Sequence, residues 1–439
     1  MGKLNDVTFI KGNGGLGRPA ANEDPVSGLI LLLRNVTAAD LMNADNTSQF
    51  DSISSQATNG GTIYVTKLRY AEELADYGLE KKDVDGQANV AAFKKQGEIN
   101  AINYHVGEFF RMNEQGTLYL MLRLIGENAP ANIVKDDIKQ LQYYANGSIR
   151  QCGILTDALS GIADYQTACD ELEQEHQPLS VVIAYKGKTV AVAAADGGGF
   201  TTTTTAVVSL SNLNSTSVNY VLADRRNLSL MVGCDLDSGV VRSLAEYGYY
   251  GAIGLVLGAI SKAHVHESIA YVAKFPLSLS VPGLISGEPI KEVSVTDQEK
   301  INDNRYIYVR IHVGDADNYF NDSHTLDVPT SDYAYIENNR TIDKAIRGIR
   351  RNLLPYLSSP LDVDASTGKL DNGTVKFLES IAGDALTDME KAGELSGYSV
   401  GIDADQNVLA TSEVEIVIKN IPKGVMRKVK VKIGFTTNI

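Results

Sequence analysis

Apolar and polar residues alternate most regularly at the end of the chain. Over 413–439, Val414, Ile416 and Ile418 alternate with Glu413, Glu415 and Lys419. After a Pro422-Lys423-Gly424 turn, Val429, Val431, Ile433 and Phe435 alternate with Lys428, Lys430 and Lys432. Successive side chains of a strand point to opposite faces, so this period predicts a two-stranded ribbon with one apolar face and one mostly charged face. Such a ribbon is marginal alone in water. It must join a sheet, in its own domain or on another chain.

Upstream, 7–10 reads as a short strand followed by a glycine-rich stretch, and 28–33 (GLILLL) as a buried strand, its apolar run being short for a helix. A polar loop over 43–61 and a strand over 62–67 precede helices over 71–77 and 99–112, the second carrying Ile102, Val106, Phe109 and Phe110 on one face. The pattern then turns regular. Strands over 117–124, 149–155, 179–185 and 228–233 alternate with helices over 133–145, 162–175 and 240–247, which predicts a parallel, Rossmann-like α/β sheet. The low-complexity stretch GGGFTTTTT at 197–205 reads as a surface loop. After Pro276 the style becomes α+β. It comprises a strand over 306–313, a helix over 332–354 capped by Ser331 and ended by Pro355, and a helix over 372–392 with Val375, Leu378, Ile381 and Leu386 on one face. Strand pieces at 398–402 and 408–410 then lead into the ribbon. The implied division is a body over 23–275, a second domain over 276–412, and terminal segments over 1–22 and 413–439.

Charge sharpens the picture of the ribbon. Lys419, Lys423, Arg427, Lys428, Lys430 and Lys432 follow Glu415 with no further acid. The whole chain carries −14, so the residues before Lys419 carry −20 once those six cations are set aside. A basic end on an acidic body suits docking on a copy of itself; lysines that protect an edge strand from aggregation explain the same residues. The ribbon alone leaves both readings open. At 439 residues, 44% apolar and 21% charged, the chain has the composition of a soluble protein of two or three domains. The acidic balance argues against general nucleic-acid binding. Cys152, Cys169 and Cys234 are widely spaced and read as free thiols of a reducing compartment. MGKLND lacks the apolar core of a signal peptide, and Asp6 spoils a myristoylation pattern. The glycine-rich apolar run at 249–260 is too short to span a bilayer, so no direct membrane insertion is expected.

Several motifs invite a chemical reading and fail on context. Gly12, Gly14 and Gly17 match GxGxxG after a strand, but Arg18-Pro19 and a polar stretch follow where a dinucleotide site needs a helix. Those glycines read better as a mobile joint. Gly397, Ser399 and Gly401 match a nucleophile elbow, yet Ser399 lies inside an alternating strand and no histidine follows it. Gly187-Lys188-Thr189 has Val182 where a Walker motif needs its first glycine. His264, His266 and Glu267 lack the spacing of a metal site and read as a surface cluster. Asp403, Asp405 and Asn407 resemble the start of a calcium loop, but Val408 and Val414 replace its glycine and its last glutamate. No catalytic, cofactor or metal site emerges.

The C-terminal third resembles the tail sheath proteins of contractile bacteriophages and related contractile injection systems. The resemblance rests on TIDKAIRGIRRNLL at 341–354, GELSGYSVGI at 393–402, and the terminal strands around a proline turn. Earlier, GLGRPA at 15–20 and DPVSGLI at 24–30 resemble the start of a sheath group common in phages and prophages of Bacteroidetes, and Phe109-Phe110 before TLYLMLRL also fits. The resemblance implies that 276–412 is a sheath domain and that both termini are linker arms that complete a small sheet in neighbouring subunits. The arm strands would then carry Val7, Phe9, Val414, Ile416, Ile418, Lys428, Val429, Lys430, Val431, Lys432, Ile433 and Phe435, with Gly12, Gly14, Gly15 and Gly17 as the hinge. It settles the ribbon as a docking element. It further implies a helical homo-oligomer around an inner tail tube protein, with baseplate and tail-terminator partners, and no nucleotide. Assembly would take place in the bacterial cytoplasm, into a virion tail or injection-system sheath. Two alternatives from other classes are a non-contractile filament protein and an α/β enzyme using Asp157 or Asp235 at the carboxyl ends of its strands.

Overall fold

The apolar run Leu29–Leu33 is 5% exposed or less at every position and runs through the middle of a seven-stranded sheet. The computed structural model describes residues 24–41, 50–53, 63–125, 135–157, 159–196, 198–215, 220–221 and 224–435. The chain opens with β1 (Val26–Leu33), β2 (Asp51–Ile53) and β3 (Ile63–Leu68), then α1 (Glu73–Asp76), α2 (Val90–Met112) and β4 (Thr117–Leu124). Next come α3 (Lys135–Tyr144), β5 (Gln151–Thr156), α4 (Ile162–Gln174) and β6 (Ser180–Tyr185). A hairpin of β7 (Lys188–Ala194) and β8 (Phe200–Ala206), α5 (Leu210–Leu213) and β9 (Leu228–Met231) follow. The sheet order is β2-β3-β4-β1-β5-β6-β9, with β4, β1, β5, β6 and β9 mutually parallel and β3 and β2 antiparallel at one edge.

Both faces of this sheet are covered, which is why its strands read as near-continuous apolar runs. On one face lie α2 and α7 (Ile253–Lys262), the latter following β10 (Gly233–Asp235) and α6 (Ser238–Ser243). On the other lie α3 and α4, with Ile138, Leu141, Ile162, Tyr165 and Leu172 packed on Ile30, Ile154 and Ile183. α2 is capped by Asn89, whose side chain accepts the Ala92 N–H, and its first residue, Val90, lies nine residues before the helix that periodicity predicts. α3 is tied to the sheet by a buried ion pair of Arg123 on β4 with Asp137, 2% and 0% exposed. Removing one partner of a buried pair leaves the other charge uncompensated. Asp137→Ala is therefore expected to lower stability by about 3–5 kcal/mol in urea unfolding, while Arg123→Met with Asp137→Leu stays near wild type.

Residues after Pro276 continue this core before the second unit begins. β11 (Pro282–Leu284) pairs with β10, and α8 (Val295–Asp303) follows. Leu277, Leu279, Ile307, Val309 and Phe320 join one apolar cluster, and Ile285, Ile290, Ile301, Tyr306 and Tyr308 the other. The predicted strand over 306–313 is split. Ile307 extends the central sheet beside Met231, and only β12 (Val309–Ile311) pairs onward, with β13 (Asn318–Phe320).

Then α9 (Ile336–Leu353), α10 (Asn372–Lys391), β14 (Leu395–Ile402), α11 (Val408–Thr411) and β15 (Ile416–Pro422) form the smaller unit. α9 starts four residues later than predicted; Ser331 accepts the Tyr333 N–H in a turn and does not cap the helix. α9 spans both units. Ile336 packs in the body, and Ala345 packs with Leu386, Met389 and Leu395.

Three further expectations are corrected. Most of the stretch expected to be a loop is a strand: residues 200–205, its threonines included, belong to β8, paired along β7 from Lys188↔Ala206 to Ala194↔Phe200. Threonine favours extended backbone, and that preference outweighs low complexity here. The predicted strand piece at 408–410 is the helical turn α11, capped by Asn407. The third correction concerns the terminal ribbon.

Candidate subunit interface

The terminal ribbon does not fold back on itself. β15 pairs antiparallel with β14, in a register that sets Ile402 against Ile416, Val400 against Ile418 and Tyr398 against Asn420. The chain then runs on past Pro422 without a second ladder, and no strand is formed over 423–435. Alternation had correctly assigned the faces of the first strand but not its partner. Ile416 faces Leu370, Val375, Leu378 and Ile402 together with Val414, and Ile418 packs with Tyr398, Val400 and Leu386. Val414, Ile416 and Ile418 are thus used inside the subunit.

The second half of the alternating segment is left largely uncovered. Val429 is 65%, Val431 79%, Ile433 96% and Phe435 111% exposed. Lys428, Lys430 and Lys432 are exposed as well, so neither face of this segment is covered. The small sheet in turn presents Val417 and Ile421 to solvent, 52% and 60% exposed. Among the described residues β14 and β15 pair only with each other, leaving two open edges. An alternating segment with uncovered apolar side chains, on a subunit that also has open sheet edges, is the arrangement by which one strand is added to another sheet. Val7 and Phe9, and the joint Gly12, Gly14, Gly15 and Gly17, lie outside the described residues.

One residue that the sequence reading counted only as a charge fastens this segment. Arg427 donates from Nε to both Asp322 carboxylate oxygens at 3.0 Å, pairs with Glu337 through Nη2, and lies 3.5 Å from the centroid of the Tyr335 ring. Burial pushes the Glu337 carboxyl above its ordinary value, with the Arg427 charge pulling the other way. Burial lowers the Arg427 guanidinium, but the Asp322 and Glu337 charges outweigh it and hold it above its ordinary value. The first described residue, Asp24, is held on the same helix, by Lys344 at 2.8 Å and Arg347 at 3.3 Å.

The residues weighed for chemistry are occupied structurally. At the carboxyl ends of β1 and β5, Asp157 pairs with Arg34 at 2.8 Å and accepts from the Tyr250 hydroxyl, around a cavity of about 10 Å³. Asp235 accepts the N–H groups of Asp237 and Val281, both at 3.0 Å. Ser399 sits within β14, opposite Lys419. Exposed His264 stacks on His266, ring centroids 5.9 Å apart, and no cluster of metal-ligating side chains occurs among the described residues. Asp403 accepts the Asp405 N–H in a turn, and Asp405 pairs with Lys369. The three cysteines are free and buried, and burial pushes their thiols up.

Compared with known proteins, residues 4–324 match the family model described as DUF2586, N-terminal domain, and 332–439 that described as DUF2586, C-terminal domain. No curated protein matches. Among solved structures, the anti-feeding prophage (AFP) helical sheath in its contracted state is 13% identical with a TM-score of 0.56, covering 100% of both chains. The sheath complex of an extracellular contractile injection system, PVC, in its contracted state is 12% identical with a TM-score of 0.55, covering 100% of this chain and 99% of that one. A chain of the AFP baseplate is 14% identical with a TM-score of 0.52, covering 99% and 100%. At these identities the likeness is one of fold, and it extends over the whole chain.

Proposed function

This chain belongs to the DUF2586 family in both its N-terminal and C-terminal parts, and from that premise we propose that it is a structural subunit of a contractile sheath. It polymerises helically around an inner tube and shortens to drive that tube through a target envelope. The observation that carries this is the segment over 428–435, uncovered on both faces, on a chain with the fold of sheath subunits. Main-chain hydrogen bonds to a neighbour's open β14–β15 edge and burial of its apolar side chains supply the affinity, and the alternation sets the register. The reading takes the doubly covered sheet, with parallel strands ordered second, first, third, fourth, fifth, as Rossmann-like in the broad sense of a doubly wound body. It takes the N-terminal residues as the second arm, copies of the chain, the tube, the baseplate and the tail terminator as partners, and the bacterial cytoplasm as the place of assembly. No helix among the described residues is long and apolar enough to cross a membrane.

Electron microscopy of the purified protein is the direct test. Tubes of uniform width are expected, and a persistent compact monomer at high concentration would sink the reading. The basic residues refine it. Lys428, Lys430 and Lys432 are exposed, so their replacement by glutamate leaves the melting temperature of the subunit unchanged. Against an acidic neighbour, that triple change is expected to abolish tubes, and added salt to weaken wild-type assembly, since charges are screened beyond about 8 Å at physiological ionic strength. Normal tubes from the triple variant would reduce these lysines to edge protection.

A further inference from the structure

Over 423–435 the polar contacts of the chain with the rest of the subunit converge on one side chain. Among the described residues, the hydrogen bonds and ion pairs joining 423–435 to the remainder all come from the Arg427 side chain. Met426 beside it is 80% exposed, and no backbone ladder supports either neighbour. The acceptors are built in. Glu337 is 2% exposed and also receives the Ser323 hydroxyl at 2.5 Å, while Asp322 is 13% exposed and Tyr335 supplies its ring face. A planar guanidinium satisfies all three at once through its fork of donors and its face, which an ammonium does not.

We infer that Arg427 is a releasable latch that sets the reach of the terminal arm. Closed, it leaves free chain only from residue 428 onward; open, it frees the chain from the end of β15 at Pro422. The five residues 423–427 then add roughly 16 Å of extended chain at about 3.3 Å each. The latch sits on the first turn of α9, the helix whose Lys344 and Arg347 hold Asp24 where the N-terminal segment enters the body. Seven residues of helix, roughly 10 Å, separate Glu337 from Lys344, so both arm roots are fastened to one rigid rod. When neighbours move apart or rotate, the latch decides whether the displacement pulls on α9 or is absorbed by chain peeling back to Pro422. The inference rests on the sheath reading for the use of that reach, but the latch itself belongs to the isolated subunit.

Two measurements separate the claims. In the isolated subunit, trypsin cuts after Lys423, close to the latch, and after Lys430, beyond it in uncovered chain, which serves as the internal reference. Arg427→Gln is expected to raise the initial rate after Lys423 at least tenfold relative to that after Lys430, with Arg427→Lys in between. An unchanged ratio in both variants overturns the latch. In assembled tubes, the slack in Arg427→Gln is expected to broaden the distribution of helical rise. Faster cleavage with tubes as uniform as wild type overturns the reach role while leaving the sheath reading intact. Faster cleavage in a chain whose wild type never polymerises overturns the sheath reading, and the reach role with it, while the intramolecular latch stands.

Discussion

A chain ending at Lys428 is expected to melt at the temperature of the full chain and to form no tubes. Of the residues removed, Val429, Val431, Ile433 and Phe435 are 65–111% exposed and lie outside the core. Docked on a neighbour, four such side chains are worth roughly 6–12 kcal/mol if fully buried, at about 1.5–3 kcal/mol each. Association spends several kcal/mol of that on lost motional freedom, so losing all four removes the favourable balance. The cut must spare Arg427. A chain ending at Lys423 also lacks the guanidinium facing buried Glu337, and its stability is expected to fall as well, by up to about 3–5 kcal/mol. Calorimetry paired with electron microscopy reads both effects. Tubes from the shorter cut would mean that the segment is not the arm.

The second large effect lies in the body, where α7 meets α2 backbone to backbone. A Cβ on Gly254 would stand 1.9 Å from the His105 carbonyl oxygen, and one on Gly258 2.6 Å from that of Phe109. The two glycines are four residues apart on one face of α7, and their contacts are four apart on α2, so the helices meet along a single line. A backbone carbonyl cannot rotate away as a side chain does. Gly254→Leu is expected to leave no soluble folded subunit. Gly254→Ala forces the helices apart and should cost at least the 1–3 kcal/mol or so typical of an overfilled core. Urea unfolding of the alanine variant and soluble yield of the leucine variant are the measurements. Near-wild-type stability in Gly254→Ala would show that α7 can shift at little cost.

How much of this was legible differs by element. The strands at β1, β4, β5, β6 and β9 and the helices α2, α3 and α4 follow from runs of buried residues broken by amphipathic stretches, and the structure has each of them. α7 was not readable as an element. Its residues are apolar all round because it is buried on every side, so the 249–260 run carries no period to detect. The threonines of β8 carried propensity without periodicity, since both faces of that strand are open to solvent.

The interface divides the same way. By itself the sequence determined which residues of 413–435 alternate, which of them are apolar, and that the segment is basic on an acidic chain, because these depend only on neighbours along the backbone. Tertiary structure alone decided that Ile416 and Ile418 close the subunit's own small sheet while Val429 to Phe435 stay uncovered. A strand's period states which side chains share a face but not which strand lies beside it. Only the folded chain brings Asp322, Tyr335 and Glu337, about ninety or more residues earlier, around Arg427. No local pattern encodes that meeting, because each of the four residues taken singly is an ordinary polar position, and it is their convergence that makes the clamp.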